Sequence, residues 1–393
     1  MHKIDVSKGS LVGTVSSQWF GRPDDQRFTS LNELRAKVAG WAEASHMVEV
    51  APRLLRAEAA TGNRLSIIHD GDAQLHVEPT NYGFGAIARE AGAPAAYLRK
   101  LPADLAAACL NNGFKYADKD RMLGAYAMTD KGMDKLRALT STSYGRILDR
   151  DVVDAVQKVA GNGIGDTRWK VPGTIDWTAA HGVHYNPQVD ITKDNTTLYA
   201  SDRDLFLFLV DDMNPIEVGK LSDGSPDLMF RGFYVWNSEV GDKTFGVATM
   251  YLRGVCQNRN LWGVEGFSET SFRHTAGAPD KFAGVAAPAL ASYAEAATGN
   301  LIEGVKKAKS AIVTPGDSPD AKVERIAFLM KLGFSKRKAE DMVLTAIVEE
   351  GRPPESVWDH AQAITASARS ISYQEDRVKV EAIAGKLLDK VAA

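Results

Sequence analysis

Residues 228–253, LMFRGFYVWNSEVGDKTFGVATMYLR, contain two long runs that are rich in aromatic and β-branched residues. Five residues, 238–242, separate the runs, which is a connection of hairpin length. In the second run Phe245, Val247 and Tyr251 share one face, and the residues between them point the other way. Both faces lean apolar, so the stretch predicts a mainly antiparallel sheet that helices cover on at least one side.

Shorter runs of similar composition surround this hairpin and extend the predicted sheet. Upstream, an Asp70-Gly71 turn between two apolar runs predicts a second hairpin. The predicted strands outside the central hairpin are 65–68, 75–77, 169–171, 182–189, 196–200 and 205–210. Helical patterns follow the capping residue Ser30 and cover 81–90, 94–111 and 149–159. The fold class is therefore α+β, with a central sheet packed with helices.

The C-terminal third of the chain is predicted to be helical. The Ala-rich segment 281–312, with lysines near its end, predicts one long helix, and the Pro- and Gly-containing stretch 313–319 predicts a linker. Further helices are predicted over 321–332, 335–349, 354–369 and 375–391. The predicted units are an N-terminal arm and helix (1–60), an α+β core domain (61–312) and an all-helical C-terminal domain (320–393). The last is either a separate domain or an extension packed back on the sheet.

The composition excludes several classes of protein. The 393 residues are 44% hydrophobic, as in ordinary globular proteins, and the formal net charge is −3, so a nucleic-acid site has to be a local basic face. Two cysteines, Cys109 and Cys256, predict a reducing compartment and buried, inert thiols. The N-terminus lacks the apolar core of a secretory signal, and the longest apolar run, 205–210, is too short to span a membrane. We therefore expect a cytoplasmic protein without membrane association.

Motifs for cofactors and metals are absent or lack the required context, so we assign neither. The GxGxG at 161–165 follows a predicted helix, whereas the dinucleotide fingerprint follows a strand, so the segment is interpreted as a loop. His181 and His184, with Asp190, form an HxxH pattern. On a strand the two imidazoles face opposite sides, which does not suit a single metal ion.

Two reactive residues have no partner that the sequence identifies. His274 could act as a general base, but a base requires a positioned partner, and a lone histidine is more often structural or exposed. Cys256 lies between Arg253 and Arg259, which could activate its thiol. A buried small hydrophobe at a strand end is the alternative interpretation.

Basic and aromatic residues interleave between 231 and 274 on the predicted sheet. Cations that follow phosphates and rings that stack on bases are the elements of a surface for single-stranded nucleic acid. The alternative is that the rings belong to the core and the cations to a solvated face. The candidate binding residues are Arg231, Lys243, Arg253, Arg259, Arg273, His274, Tyr234, Trp236 and Tyr251.

A second basic cluster precedes a predicted amphipathic helix near the C-terminus. It consists of Lys331, Lys336, Arg337 and Lys338. These side chains could contact phosphates, or they could form a solvated turn.

Four stretches together resemble a family of phage- and plasmid-borne proteins, the phage/plasmid-like proteins with domain of unknown function 932. They are 81–88 with 92–102, 231–241 with its NSEVG ending, RGVCQN at 253–258 with RHT at 273–275, and VWDHAQAIT at 357–365 with Asp376-Arg377. The resemblance extends over most of the chain from 81 to 388 and not over the first 60 residues. It implies an accessory protein of a mobile element and favours DNA metabolism, but it assigns no reaction to any residue.

Three functional hypotheses follow. The first is a protein that binds single-stranded DNA in replication or recombination of a phage or plasmid. The second is an enzyme whose pocket is built around Arg273, His274 and Glu239, which clustering of these groups in a cleft would favour. The third is a structural protein that assembles into homo-oligomers. Because no catalytic motif is recognised, a binding protein is preferred over an enzyme.

Overall fold

The structure is a computed structural model with side chains. It describes residues 22–71, 74–165, 167–171, 175–176, 184–185, 191–193, 196–211, 213–221, 224, 226–253, 259–260, 269–371 and 374–392. Within these ranges the predicted α+β class is confirmed: two large sheets are packed with helices, β9 and β10 form a separate two-stranded sheet, and a helical region follows.

The regular elements are numbered in chain order. The strands are β1 Arg27–Phe28, β2 Ser45–Val50, β3 Leu55–Ala60, β4 Arg64–His69, β5 His76–Pro79, β6 Leu123–Asp130, β7 Met133–Ser141, β8 Trp169–Lys170, β9 Ile175–Asp176, β10 His184–Tyr185, β11 Leu198–Ala200, β12 Leu205–Asp211, β13 Ile216–Lys220, β14 Pro226–Asn237, β15 Phe245–Arg253, β16 Arg259–Asn260 and β17 Glu269–Phe272. The α-helices are α1 Leu31–Ala44, α2 Asn81–Glu90, α3 Ala95–Leu98, α4 Ala103–Phe114, α5 Asp149–Ala160, α6 Ala278–Lys281, α7 Ala287–Ala294, α8 Gly299–Ser310, α9 Pro319–Lys331, α10 Lys336–Glu350, α11 Val357–Ala368 and α12 Gln374–Ala392. Short 3-10 helices cover Asp24–Gln26 and Pro52–Leu54, and a π-helical turn covers Phe282–Ala286.

The larger sheet, sheet A, has the predicted central hairpin in its middle. Its described strands run in the order β1-β11-β12-β14-β15-β16, with β13 beside β14, β17 beside β15 and β8 beside β12. β14 and β15 pair antiparallel from Met229 opposite Arg253 to Trp236 opposite Gly246. The hairpin predicted from the five-residue connection is therefore confirmed, with its antiparallel sense.

The smaller sheet, sheet B, has the described order β2-β6-β7-β5-β4-β3. It contains the predicted second hairpin, in which Ile67 of β4 lies opposite Val77 of β5. β5 pairs with β7 in parallel, so this sheet is mixed. Helices α2 and α4 bury Phe84, Ile87 and Leu110 against it, in a core separate from that of sheet A.

Sheet A is covered on both faces. On one side, side chains of α1, α5 and α7, such as Leu34, Val153 and Leu290, share a core with Leu207 and Phe233 of the sheet. On the other side, Phe206, Phe208, Tyr234 and Met250 form a core that Val378 of α12 contacts. All residues of β12 and β15 are buried as a result.

The C-terminal helices pack back on sheet A. Met229 and Tyr251 of the sheet share one core with Met342 of α10, Trp358 of α11 and Leu388 of α12. Of the two arrangements predicted for this region, the structure has the extension packed on the sheet. No helix in the described ranges combines the length and the apolar composition required to cross a bilayer.

Two regions differ from the predicted organisation. The predicted helix over 281–312 is interrupted: the π-helical turn precedes α7, α7 ends at Ala294, and α8 begins at Gly299. Pro288 lacks the N–H that a continuous helix requires, and it lies in the first turn of α7. The described part of the predicted 1–60 arm is divided, because β1 pairs with β11 of sheet A and β2 pairs with β6 of sheet B.

Candidate nucleic-acid interface

The aromatic candidates on sheet A lie mostly inside the protein. Tyr234 and Tyr251 are each 1% exposed, the first in the core beneath α12 and the second in the core of the C-terminal helices. Trp236 is half-buried and stacks on Tyr234, with ring centroids 5.4 Å apart. Since stacking on a base requires an accessible ring face, Tyr234 and Tyr251 contribute to packing.

The two strand arginines are turned inward as well. The Arg231 guanidinium donates to the backbone carbonyl of Ala296. Arg253 pairs through Nε with Asp227 Oδ1 at 2.8 Å and through Nη1 with Glu350 Oε1 at 2.5 Å. Burial alone would raise the pKa of Asp227, but the charge and hydrogen bonds of Arg253 outweigh it and hold that pKa below its usual value. These ions therefore join sheet A to α10.

The remaining sheet candidates differ in exposure. Lys243 is half-buried, Arg273 is exposed and His274 is buried. Arg259 lies in β16. Of the eight candidates whose side chains are described, five are therefore buried, and Trp236, Lys243 and Arg273 are at least partly exposed.

His274 is held against Tyr144. The two rings stack with centroids 5.0 Å apart, and His274 Nδ1 lies 3.1 Å from the Gly145 carbonyl oxygen. Burial lowers the pKa of His274, so the neutral ring that donates from Nδ1 is the favoured form. Tyr144 in turn donates its hydroxyl to the Ser238 carbonyl at 2.9 Å. These contacts tie the 273–275 segment to the loop after β14.

Glu239 lies in a buried polar cluster between the two sheets. We call this cluster, formed by Tyr126, Arg137, Asp149, Asn237 and Glu239, the inter-sheet junction. Glu239 pairs with Arg137 at 2.6 Å and accepts from the Tyr126 hydroxyl at 3.2 Å and from the Asp149 N–H at 2.7 Å. Asn237 donates to the Asp149 carboxyl at 2.7 Å. The carboxylate of Glu239 therefore neutralises Arg137 and occupies the positive end of α5.

The electrostatics of the junction favour the protonated form of Asp149. Burial, and then the nearby charge of Glu239, raise the pKa of Asp149 well above its usual value. A neutral Asp149 avoids a second buried charge beside the Arg137–Glu239 ion pair. Of the groups named for an enzyme, Glu239 belongs to this junction, His274 packs beside it through Tyr144, and Arg273 is exposed.

Thiol and metal candidates add no site in the described part of the chain. Cys109 is exposed on α4, so the expectation of a buried thiol is wrong for it: the inward positions of that helix are held by Ala106, Ala107 and Leu110. Cys256, His181 and Asp190 lie outside the described residues, and His184 lies in β10. Among the described residues, no group of three His, Cys, Asp or Glu side chains is placed to hold a metal ion.

The second basic cluster lies at a tight turn between α9 and α10. The turn begins with a Schellman motif, in which Phe334 N–H donates to the Leu329 carbonyl and Gly333 N–H to the Met330 carbonyl. Gly333 has φ of +100°, which glycine adopts readily. Ser335 then caps α10 through its hydroxyl, which accepts from Lys338 N–H. The chain therefore leaves α9 and enters α10 within four residues, and a lysine- and arginine-rich first turn lies at the surface.

A groove of about 740 Å³ opens beside this turn, between α10 and the C-terminal end of α11. We call it the basic groove. Its lining residues are Ser335, Arg337, Lys338, Asp341, Thr345, Ala366, Ser367, Arg369 and Ser370. Cationic groups and hydroxyls predominate, and Asp341 is the acidic residue among them. Such a lining suits a polar anion better than an apolar ligand.

The cations at the turn differ from those of sheet A in exposure and pairing. Lys331, Lys336 and Arg337 are exposed, and the half-buried Lys338 holds its ammonium 5.7 Å from the centroid of the Phe334 ring. In the described ranges, no carboxylate forms an ion pair with any of the four. Arg369, across the groove, pairs with Glu349. The cations at the turn are therefore not held in ion pairs within the described part of the chain.

The sequence identified one side of this groove and missed the other. The lysine and arginine cluster was visible as a local concentration of charge. Arg369, Ser367 and Ser370 join it because α11 packs against α10 in the core that contains Met342 and Trp358. No sequence pattern places Arg369, Ser367 and Ser370 beside Lys338, because their proximity depends on how α11 packs against α10.

Comparison of the chain with protein-family models, with curated proteins and with solved structures gave no match. The resemblance to the phage/plasmid-like family therefore rests on the residues quoted for it and stays a prediction.

Proposed function

We propose that this protein binds nucleic acid, and that the binding surface is the basic groove with the adjoining α9–α10 turn. One observation carries the proposal: four cations within residues 331–338, unpaired in the described part of the chain, flank the first turn of a 15-residue helix. The N-terminal end of a helix already carries partial positive charge, so cations there are unfavourable by some tenths of a kcal/mol each, about 0.3–1. A phosphate group removes this penalty and accepts from the free N–H groups of the first turn.

The groove supports contacts to the backbone of a nucleic acid. Lysine, arginine and serine side chains are the groups that contact phosphate and sugar oxygens in protein complexes with nucleic acids. The expectation of single-strand binding depended on exposed rings, and Tyr234 and Tyr251 are interior. Phe334, the aromatic residue of the α9–α10 turn, is 8% exposed. The proposal therefore rests on charge and hydroxyl groups, and not on base stacking.

The resemblance to phage and plasmid proteins supports the same class of function. Replication and recombination of a mobile element require proteins that hold DNA, and a protein with a local basic surface on an acidic chain suits that role. In the proposed role, the inter-sheet junction and the ion pairs of Arg253 keep the framework rigid while the C-terminal helices carry the binding surface.

The test is binding of a labelled oligonucleotide, single-stranded or duplex, measured by fluorescence anisotropy between about 50 and 200 mM salt. In the variant Lys336→Gln/Arg337→Gln/Lys338→Gln we expect weaker binding and a slope of log K against log salt that is smaller by about 2–3. The matched control, Lys100→Gln/Lys115→Gln/Lys119→Gln, removes the same charge from exposed positions elsewhere and should keep the wild-type slope.

Unfolding does not explain loss of binding in the first variant, because removing cations from the positive end of α10 favours the helix. Absence of binding to both oligonucleotides at low salt, or equal weakening in the two triple variants, would contradict the proposal. Native mass measurement of the same samples tests the separate prediction of homo-oligomers.

A further inference from the structure

We infer that the nucleic acid is duplex DNA and that α10 lies in its major groove. This inference rests on the proposed function and specifies its ligand and its geometry. The cations at the turn would contact the phosphate backbone, and the outer side of α10 would face the base edges.

The connection between α9 and α10 has the length and the glycine of a helix-turn-helix. Four residues, 332–335, join the two helices, and both helices bury side chains in one core, Leu329 from α9 and Met342 from α10. A turn of three or four residues that contains glycine is characteristic of this motif, in which the second helix enters the major groove. The residues at the start of that second helix contact DNA, and here they are Lys336, Arg337 and Lys338.

The outer side of α10 carries a second, independent feature. Opposite the buried positions of the helix runs a stripe of exposed residues at helical spacing: Arg337, Asp341, Leu344 and Val348. Leu344 is 53% exposed and Val348 is 84% exposed. Aliphatic side chains this exposed on the face of one helix indicate a surface that another molecule covers.

The chemistry of the stripe favours base edges over phosphates. A surface for phosphates alone gains nothing from a carboxylate or from two aliphatic side chains. Base edges in the major groove present acceptors, amino donors and the thymine methyl group, for which arginine, aspartate and aliphatic side chains are suitable partners. The stripe therefore has the mixture of groups that reads a sequence, and the cations at the turn have the charge that holds the backbone.

Size and charge agree with this placement. A helix of 15 residues is about 22 Å long, and its diameter of roughly 10–12 Å matches the width of the major groove, about 12 Å. The acidic end of α10 is compensated by residues from other elements, because Glu349 pairs with Arg369 and Glu350 with Arg253. Repulsion of DNA phosphates at that end is thereby reduced.

The experiment compares three ligands: a labelled random-sequence duplex pool, the duplex recovered from it after rounds of binding, and the matching single strand. We expect a preferred sequence to emerge, and we expect the recovered duplex to bind roughly tenfold or more tightly than its single strand. Asp341→Asn should change the base selected at one position, with discrimination altered by about ten- to a hundredfold. Leu344→Ala/Val348→Ala should weaken the selection, whereas Val323→Ala, at a valine on α9 that is 66% exposed, should leave it unchanged.

The outcomes separate this inference from the proposal beneath it. Equal binding of duplex and single strand with no sequence enriched overturns the inference and leaves a nucleic-acid-binding groove. If neither the duplex nor the single strand binds in any condition, the proposal that the basic groove binds nucleic acid is refuted as well. An unchanged preferred sequence in Asp341→Asn and in Leu344→Ala/Val348→Ala would also refute a base-reading role for α10.

Discussion

Replacing Arg137 with Met leaves the Glu239 carboxylate in the inter-sheet junction without its guanidinium partner. Arg137 is 1% exposed and Glu239 is 2% exposed, so water cannot take over the lost contact without opening the interface between the sheets. Tyr126 and the Asp149 N–H still donate to the carboxylate, but both are neutral groups. Removal of one member of a buried ion pair costs about 3–5 kcal/mol, and we expect a loss of that size.

The double variant Arg137→Met/Glu239→Gln removes both charges and keeps an amide oxygen for the Asp149 N–H. We expect it to be destabilised by about 1–2 kcal/mol, less than either single variant, because the cost lies chiefly in the unpaired ion. The exposed pair of Lys306 and Glu303, 2.7 Å apart, provides the control. There the corresponding changes should cost less than about 1 kcal/mol each.

The free energy of unfolding is obtained from urea denaturation followed by tryptophan fluorescence and circular dichroism. Two results would refute the reasoning: single variants at the junction that lose no more than the control pair, or a double variant whose loss equals the sum of the two single losses. Either result would mean that Arg137 and Glu239 interact no more strongly than ions in water.

Two further predictions concern stability. Because burial raises the pKa of Asp149, the folded state keeps a proton that the unfolded state releases above about pH 4, and this group's contribution to stability is lost as pH rises through the folded-state pKa. The variant Asp149→Asn should therefore lose less stability than wild type between about pH 5 and 8 in urea titrations. Parallel stability curves for the two proteins would argue against a protonated Asp149. Gly113→Ala places a Cβ inside van der Waals contact with the Ala91 carbonyl oxygen and should destabilise the protein by about 1–3 kcal/mol in thermal or urea unfolding. The control is Gly40→Ala in the interior of α1, where no atom lies within 4 Å of the new Cβ. It should be neutral or stabilising by up to about 1 kcal/mol. A loss of stability at Gly40 equal to that at Gly113 would contradict the steric explanation.

Local patterns were sufficient for much of the fold. The alternation over 228–253 determines which side chains share a face of the hairpin, since successive residues of a strand point to opposite sides. The capping serines before α1 and α10 are likewise local, because the hydroxyl of each accepts from an N–H three residues later. The break between α7 and α8 escaped the pattern, because the Ala-rich composition outweighed Thr298 and Gly299, which lie where α8 begins.

What the sequence by itself determined is the α+β class, the central hairpin and the concentration of charge at 331–338. Tertiary structure alone decided that helices cover both faces of sheet A, that Arg253 turns toward Asp227 and Glu350, and that Arg369 faces the groove beside Lys338. The physical reason is that periodicity specifies which residues share a face. Whether that face contacts water or another element depends on segments distant in the chain. Rings and cations on a strand are compatible with either water or a packed helix, and only the packing of α12 and α10 against the sheet selects between them.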